Sequence, residues 1–291
     1  MRIAFDPTPL HSTHAFLDFP RATADLGYDW IQLTPHVEFI PFFRYPRPDR
    51  ALLAATRSAA AAAGIGISSL LPVQRWSSPD EPQREAAVRN WKRIVQIAVE
   101  LDVPIINTEF SGRPERAEES EAAFYRSMEE LLPIFEREGI RVNIDPHPDD
   151  FVENGPEALR IIRGLDTESV GFVYVGSHTF HYGNDANGIV TAAGSRLGAV
   201  YAADTFDHTR SHGLRYITNP PGNPARVHQH LRMGDGDVDW TELFGVLART
   251  GFLAREDALI VSNVFAEDEN WEETSRFQVA AIKERVGMAN A

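Results

Sequence analysis

Short apolar stretches recur along the chain at intervals that suit strands separated by helices. They are rich in Val, Ile, Phe and Tyr, and each ends near a polar or small residue, a pattern typical of buried strands. We predict eight strands, at residues 2–6, 29–33, 66–71, 104–110, 140–145, 170–175, 198–203 and 258–265.

Helix-like sequence fills the spaces between several of these strands. Residues 50–64, 85–103 and 121–139 are rich in Ala, Glu, Arg and Leu, with apolar positions at i, i+3 and i+4. Eight strand–helix alternations predict an α/β fold, a single (β/α)8 TIM barrel. A doubly wound sheet is the alternative, but no glycine-rich phosphate loop follows the first strand. No linker interrupts the pattern, so we expect one barrel domain over 1–291.

One long segment lacks a clear helix or strand pattern. Residues 204–237 hold many His, Pro, Gly and Asp residues after the seventh predicted strand. Loops of this length are uncommon inside compact domains and are often functional. In a barrel this loop would lie at the carboxyl ends of the strands, where active sites of this fold are found.

Composition narrows the function classes. The net charge of -14 argues against nucleic acid or an anionic membrane as a partner, because phosphate binding depends on Lys and Arg. The chain has no cysteine, which leaves His, Asp and Glu as metal ligands. No apolar run is long enough to span a membrane, and the first residues do not resemble a signal peptide. We therefore expect a cytoplasmic protein.

Polar residues with chemical potential follow the predicted strands. All ten histidines lie at or beyond a predicted strand end, and none lies in a predicted helix. The strand-end residues that a barrel would bring together are Asp6, His36, Glu109, Asp145, His147, His178 and Asp204, with His208, His212, His228 and His230 on the long loop. This clustering predicts a site at the carboxyl face.

Carboxylates and imidazoles suit a divalent cation such as Mn²⁺, Zn²⁺, Co²⁺ or Fe²⁺. A metal beside a carbonyl oxygen stabilises an enediolate, and a nearby imidazole can then move a proton from carbon. His147, two residues after Asp145, is our candidate for that base. Asp6 has an equally good interpretation as a turn residue, and we interpret Asp149 and Asp150 as loop or capping residues.

Aromatic and basic residues near the predicted second strand suit a substrate pocket. We predict that His36, Phe43, Arg44, Asp204 and His228 contact substrate. Trp76 and Phe110 could close the pocket against water and stack on a sugar or aglycone ring, or could pack the barrel rim.

The strand-five sequence "NIDPHPDD", the strand-six sequence "SHTF" and the closing "HLRMGDGDVDW" resemble the xylose isomerase-like barrel superfamily. That group includes sugar isomerases, ketose 3-epimerases, inosose dehydratases and endonuclease IV. The resemblance extends over essentially the whole chain. It implies a metal-dependent barrel enzyme that acts on carbohydrates.

The ligand pattern departs from that of the commoner members. Asp145 stands where they carry Glu, Val175 stands at their strand-six Asp, and the seventh and last strands lack the usual His and Glu. Similarity to the third-metal motif of endonuclease IV implies that His228 and His230 lie at metal positions beside His178. With Asp145 and Glu109 added, the first-choice ligands of one metal ion are Glu109, Asp145, His178 and His230, and His228 is the next choice. Ordinary ketose epimerisation is accordingly not the first expectation.

The segments "EFIPFFRYPRP", "NTEF" and "RVHQHL" look most similar to the large subunit of bacterial C-glycoside deglycosidases. That resemblance implies elimination from a 3-keto-glycoside, with His147 and Asp145 as catalytic residues, and a smaller β-sandwich subunit as partner. A sugar isomerase or epimerase, a phosphoesterase of endonuclease IV type and a metal-free binding or scaffold barrel remain as alternatives. Whether the chain forms a homo-oligomer is left open.

Overall fold

The computed structural model describes residues 1–36, 48–207, 230–264 and 270–289, together with the backbone of 216–218 and 226–228. Eight parallel strands close into a barrel, which confirms the predicted fold class. The barrel strands are β1 (Arg2–Phe5), β2 (Trp30–Leu33), β3 (Gly66–Leu70), β4 (Ile105–Glu109), β5 (Arg141–Asp145), β6 (Val170–Val175), β7 (Leu197–Ala202) and β10 (Leu259–Ser262).

The predicted strands agree closely with the observed ones. Seven of them match within one residue at each end. The last was predicted to run to residue 265, which lies outside the described residues, but β10 ends at Ser262. The strand does not continue through the next residue, Asn263. Its side chain donates to Asp6, and its carbonyl oxygen accepts from His230.

Helices surround the barrel, and the three predicted ones are confirmed. The helices are α1 (Phe19–Asp25), α2 (Arg50–Ala63), α3 (Glu81–Leu101), α4 (Ala117–Glu138), α5 (Gly155–Gly164), α6 (Ala186–Ala193), α7 (Trp240–Arg249) and α8 (Trp271–Ala289). Asp49 and Asp80 cap α2 and α3 by accepting backbone N–H groups. Gly64 and Gly139 follow α2 and α4 in the left-handed conformation. Among the described helices, none has the length and apolarity needed to cross a membrane.

The segment after β7 is less irregular than its sequence suggested. It contains two short antiparallel strands, β8 (Tyr216–Thr218) and β9 (Arg226–His228), which pair outside the barrel. We had predicted no regular structure here, because the many Pro and Gly residues obscure strands of three residues. The chain returns to the barrel through a bridge between Asp204 and Leu231.

Alternation along β4 and β5 determines which side chains reach the barrel interior. Val142 and Ile144 belong to the hydrophobic core that the barrel strands form with the apolar faces of the surrounding helices. Asp145, the residue after Ile144, has the opposite orientation and lines the interior cavity, as does Glu109 of β4. Glu109 and Asp145 are register partners in the parallel ladder, so the sheet brings the two carboxylates to the same level.

A buried polar network fills the barrel below this level. The side-chain oxygen Oε1 of Gln32 accepts hydrogen bonds from the Ser69 hydroxyl and the Asn107 side-chain amide, at 3.0 Å each, and from the Tyr201 hydroxyl at 2.8 Å. Asn143 continues the network by donating to Asn107. Since buried polar groups need partners, this network holds Tyr201 in one orientation at the cavity floor.

Candidate active site

A cavity of about 300 Å³ lies at the carboxyl ends of the barrel strands. Its lining comes from residues scattered along the sequence, namely Asp6, Thr8, His11, Thr34, Pro35, Leu71, Glu109, Asp145, His147, Val175, His178, Tyr201, His230 and Asn263. This set contains three carboxylates and four histidines. No Lys or Arg occurs among the described residues that line it. The cavity therefore concentrates negative charge and imidazole nitrogen in one place.

Glu109 and His147 form the more accessible part of this site. Their side chains are each about one quarter exposed, and the Glu109 Oε1 atom lies 3.8 Å from His147 Nε2. His147 Nδ1 lies 2.7 Å from the Pro148 carbonyl oxygen. Because a carbonyl oxygen only accepts, Nδ1 donates this hydrogen bond and a neutral ring carries its lone pair on Nε2. That nitrogen is suited to accept a proton at the cavity.

Asp145 and His178 form a deeper pair. His178 Nδ1 lies 3.6 Å from Asp145 Oδ2 and 3.2 Å from the Pro146 carbonyl oxygen, and both side chains are buried. Burial raises the pKa of the Asp145 carboxyl well above its usual range, and the negative charges of Glu109 and Asp150 raise it further. A cation in the cavity would relieve this concentration of negative charge.

His230 reaches the cavity from the segment that returns to the barrel. Its Nδ1 lies 2.8 Å from the Asn263 carbonyl oxygen, and Ser177 Oγ lies 3.3 Å from its Nε2. Burial lowers the pKa of His230 to about 3, so the ring is neutral near pH 7. A backbone carbonyl on Nδ1 is the usual arrangement for a histidine that binds a metal through Nε2.

Asp6 is a site residue to which our sequence reasoning gave no firm role. Its carboxylate accepts hydrogen bonds from the Thr8 amide at 3.0 Å, the Thr8 hydroxyl at 2.6 Å and the Asn263 side chain at 2.7 Å. Burial raises the pKa of Asp6 against the lowering effect of these donors. Its position at the end of the first predicted strand already places it in the predicted strand-end set, and its bonds to Thr8 are also those of a turn residue.

Asp204 has a structural role in the described part of the chain, and its predicted contact with substrate stays a prediction. It is fully buried and is not among the residues that line the cavity. Its oxygens accept from the Thr205, Gly234 and Val238 amides and from the Trp240 indole, at 2.8 to 3.1 Å. Gly236 permits this approach, because a Cβ there would lie 2.4 Å from Asp204 Oδ1. Asp204 therefore holds the "GDGDVDW" turn.

Replacement of Asp204 by alanine should lower the free energy of unfolding by about 3 kcal/mol or more, because three amides and an indole N–H lose a charged acceptor. Urea unfolding monitored by circular dichroism measures the loss. Asp235→Ala is the matched control, since Asp235 is exposed and pairs only with Arg232 at the surface among the contacts described. Equal stability of the two variants would contradict the structural role.

The other predicted substrate contacts have mixed outcomes. His36 stacks on Phe16 and meets the edge of the His11 ring, one layer behind the cavity wall. Phe43 and Arg44 lie outside the described residues, as does the side chain of His228. Trp76 is fully buried and stacks on Trp91, so it packs the barrel rim, and Phe110 is likewise fully buried.

His11 should make the protein sensitive to mild acid. Burial, and secondarily the charge of His36, lower its pKa to about 4, whereas the unfolded chain protonates near 6.5. Unfolding then takes up a proton, so stability is present above pH 6.5 and is lost as the pH falls toward 4. Since the ring is only half buried, the loss between pH 6.5 and 5 should stay below about 2 kcal/mol.

The variant His11→Gln tests this linkage by urea unfolding at pH 7 and pH 5. We expect the wild-type protein to lose more stability than the variant over this interval. An identical pH dependence in both proteins would show that His11 does not titrate differently in the folded and unfolded states.

The donor types around the cavity suit a divalent cation, although the side chains as placed do not surround one point. Within the described part of the chain, no three His, Asp or Glu side chains form a group that could hold a metal ion. One cavity is nevertheless lined by the carboxylates of Glu109 and Asp145 and the imidazoles of His178 and His230. No Lys or Arg is found among the described residues that line it. Their chemistry fits a cation better than it fits an anionic ligand.

Comparison with known proteins supports the fold assignment. Residues 20–284 match the family model described as xylose isomerase-like TIM barrel. No curated protein matches the chain by sequence.

Similar solved structures cover nearly the whole chain. D-psicose 3-epimerase with D-tagatose, from Clostridium cellulolyticum H10, is 16% identical over 100% of this chain and 96% of its own, with a TM-score of 0.69. The IOLI protein with a bound zinc atom is 19% identical over 99% of both chains, with a TM-score of 0.74. The 3-keto-D-glucoside 4-epimerase from E. coli is 16% identical over 98% of this chain and 99% of its own, with a TM-score of 0.70.

Proposed function

We propose, since the chain belongs to the xylose isomerase-like TIM barrel family, that it is a metal-dependent enzyme acting on a keto-sugar or 3-keto-glycoside. In this proposal the enzyme removes a proton from the carbon next to the carbonyl group. The observation that carries the proposal is the His147 ring at the cavity, with Nδ1 donating to a backbone carbonyl and Nε2 facing Glu109 at 3.8 Å.

His147 is suited to act as the base. Its Nε2 atom would take the proton from carbon, because the Pro148 carbonyl oxygen accepts from Nδ1 and so keeps the ring proton on that nitrogen. The charge that then develops on the ring is favoured by the Glu109 carboxylate nearby. A positioned base of this kind contributes about 10² to 10⁴ in rate.

Glu109, Asp145, His178 and His230 would hold the divalent cation. When bound, such an ion polarises a sugar carbonyl and favours the enolate. Two features of the chain support this assignment. The carboxylates are adjacent in the β4–β5 register, with no Lys or Arg among the described residues that line the cavity, and His230 is kept neutral by burial. The zinc atom in a protein of similar fold is consistent with it.

The substrate class follows from the same cavity. A volume of about 300 Å³ lined by carboxylates, hydroxyls and imidazoles suits a single sugar ring with its hydroxyl groups. Among proteins of similar fold, one acts on a 3-keto-D-glucoside and another was solved with D-tagatose. A 3-keto-glycoside carries an acidified C–H next to its carbonyl, which is the bond that His147 would break.

Two outcomes are open to the resulting enolate. In elimination, the electron pair of the broken C–H bond forms a C=C bond, the glycosidic bond breaks, and the aglycone leaves with a proton. In epimerisation or isomerisation, a proton returns to carbon and no group leaves. We propose elimination of the C-glycoside deglycosidase type first, because the segments "NTEF", which contains Glu109, and "RVHQHL", which contains His230, resemble that group. Epimerisation is the alternative.

Product analysis separates these outcomes. Purified protein is incubated with a 3-keto C-glucoside, a 3-keto O-glucoside and free ketoses, with Mn²⁺, Zn²⁺, Co²⁺ or no metal after treatment with a chelator. Released aglycone supports elimination, and a new epimer without aglycone supports the isomerase alternative. A lack of turnover on every substrate and metal, with a correctly folded protein, would favour a binding or scaffold role. The same assays with a smaller partner subunit added would test the predicted heteromeric assembly.

A further inference from the structure

The loops after β4 and β5 are joined by a buried carboxylate outside the cavity lining. Asp150 Oδ2 accepts from the Ser111 amide at 2.5 Å, and Asp150 Oδ1 accepts from the Gly112 amide at 2.7 Å. Oδ1 also accepts from the Phe151 amide at 2.7 Å. The sequence predicts a loop or capping residue at Asp150, and the structure shows that its carboxylate joins two different loops.

The receiving backbone is shaped for this carboxylate. Ser111 has a φ of +57°, which is uncommon for a residue other than glycine and which turns successive N–H groups toward one anion. A left-handed serine requires support from its surroundings. Gly112 is required by close packing, because a Cβ there would lie 2.2 Å from the Phe151 ring.

Both ends of this bridge lead directly to the proposed reaction centre. Glu109 lies two residues before Ser111, and His147 lies three residues before Asp150. The Asp150 amide donates to the His147 carbonyl oxygen at 3.0 Å, and the His147 amide donates to the Val152 carbonyl oxygen at 3.1 Å. The Asp150 carboxylate thus fixes the loop of the base to the loop of its neighbouring carboxylate.

The β4 loop is held from its opposite side as well. The Trp76 indole donates to the carbonyl oxygens of Glu109, at 3.2 Å, and Phe110, at 2.8 Å. The Ser77 hydroxyl also donates to the Phe110 carbonyl oxygen. The loop is therefore held through its carbonyl oxygens by Trp76 and Ser77 and through its amides by Asp150.

We propose that Asp150 is a positioning residue that sets the separation of His147 and Glu109 for proton transfer. The effect on catalysis rests on the proposed function, whereas the effect of Asp150 on the distance between His147 and Glu109 does not depend on it. Burial raises the pKa of Asp150 to about 6, so above that pH the group is charged and its bonds to the amides are at their strongest. Displacement of a catalytic group by about 1 Å can cost about 10²-fold in rate.

The test compares Asp150→Asn with Asp149→Asn. Asp149 is the neighbouring residue, is exposed, and has a φ of +69° that asparagine tolerates, so it receives the same chemical change without the bridge. In Asp150→Asn, an NH₂ group replaces one of the two accepting oxygens. It then faces a backbone N–H, and because both groups are donors this hydrogen bond is lost. We expect kcat to fall about 10- to 100-fold with KM within about twofold, whereas Asp149→Asn should match the wild type.

Crystal structures of the wild-type protein and Asp150→Asn test the geometry without substrate. We expect Ser111 to leave the left-handed conformation and the His147 Nε2–Glu109 Oε1 distance to depart from 3.8 Å. If the wild type turns over no keto-sugar while this distance changes, the proposed function fails and the positioning role stands. Unchanged geometry, or a loss of thermal stability with kcat intact, would overturn the inference.

Asp150→Glu provides a second route if the asparagine variant does not fold. Glutamate keeps the charge and can accept from the Ser111 and Gly112 amides. Its carboxylate is one methylene further from its own backbone, so the distance between the two loops must change. We expect it to retain the fold and to show a kcat below that of the wild type with little change in KM. Wild-type kcat in this variant would contradict a requirement for the observed geometry.

Discussion

His147→Asn should reduce kcat for a keto-sugar or keto-glycoside by about 10² to 10⁴, while the protein stays folded and retains its metal. The imidazole Nε2 facing Glu109 is the atom that we assign to proton abstraction, and asparagine supplies no group of comparable basicity. His147 is about one quarter exposed, so its replacement should cost little stability. Steady-state kinetics at saturating metal measure the effect.

His14→Asn is the matched control for this experiment. His14 is one of the ten histidines, lies outside the cavity lining and is hydrogen bonded to the neighbouring Thr13. We expect wild-type kcat in that variant. A His147→Asn protein with kcat within about threefold of the wild type would remove His147 from the role of base. Asp6, a buried carboxyl group that lines this cavity and is not among the assigned metal ligands, would then be the next candidate.

His178→Ala should abolish retention of a metal ion by the purified protein. The wild type is expected to carry about one equivalent of Mn, Zn, Co or Fe after dialysis, because the cavity gathers two neighbouring carboxylates and the neutral His230 imidazole, with no Lys or Arg among the described residues that line it. Removal of one imidazole ligand from a site of four should weaken binding enough for dialysis to empty it. Elemental analysis measures the content directly.

His181→Ala provides the comparison, since His181 is three residues away and lies outside the cavity lining. We expect it to retain the wild-type metal content. A wild-type protein that takes up no metal even after soaking would contradict the ligand assignment and favour the binding or scaffold alternative. Equal metal content in the wild type and His178→Ala would instead assign the ion to other ligands.

The barrel could be predicted from the sequence because local patterns determine it. Apolar strand segments, amphipathic helices and the glycines that end them are short-range signals, and seven strands were predicted to within one residue. The hairpin of β8 and β9 was missed, because its three-residue strands are formed by pairing with each other and carry little periodic signal of their own.

The candidate site was predictable in part. Strand ends of a barrel converge, so the placement of Glu109, Asp145, His147 and His178 at one cavity followed from their positions along the chain. Asp204 occupies a similar strand-end position. One of its four hydrogen-bond donors is the adjacent Thr205 amide, and the other three come from a turn 30 to 36 residues later. Sequence position alone cannot distinguish a carboxylate that faces the cavity from one that holds a neighbouring loop.

Asp150 illustrates the same limit. Two of its three partners lie 38 and 39 residues earlier in the chain, and the left-handed backbone of Ser111 that receives it has no sequence signature. Only the packing of the β4 and β5 loops reveals the contact. Such contacts explain why residue types indicated the class of chemistry, whereas the relative positions of the groups required the structure.

Deuterium exchange tests the central claim most directly. The wild-type protein, loaded with metal, is incubated in H₂O with a 3-keto-glucoside that carries deuterium at the carbons next to the carbonyl, and mass and NMR spectra record the deuterium that remains in recovered substrate and in product. We predict that the enzyme removes deuterium from one of these carbons faster than the enzyme-free control, and that this loss disappears in His147→Asn and persists in His14→Asn. Product that keeps all of its deuterium, or enzyme-dependent loss that persists in His147→Asn, would contradict proton abstraction by His147.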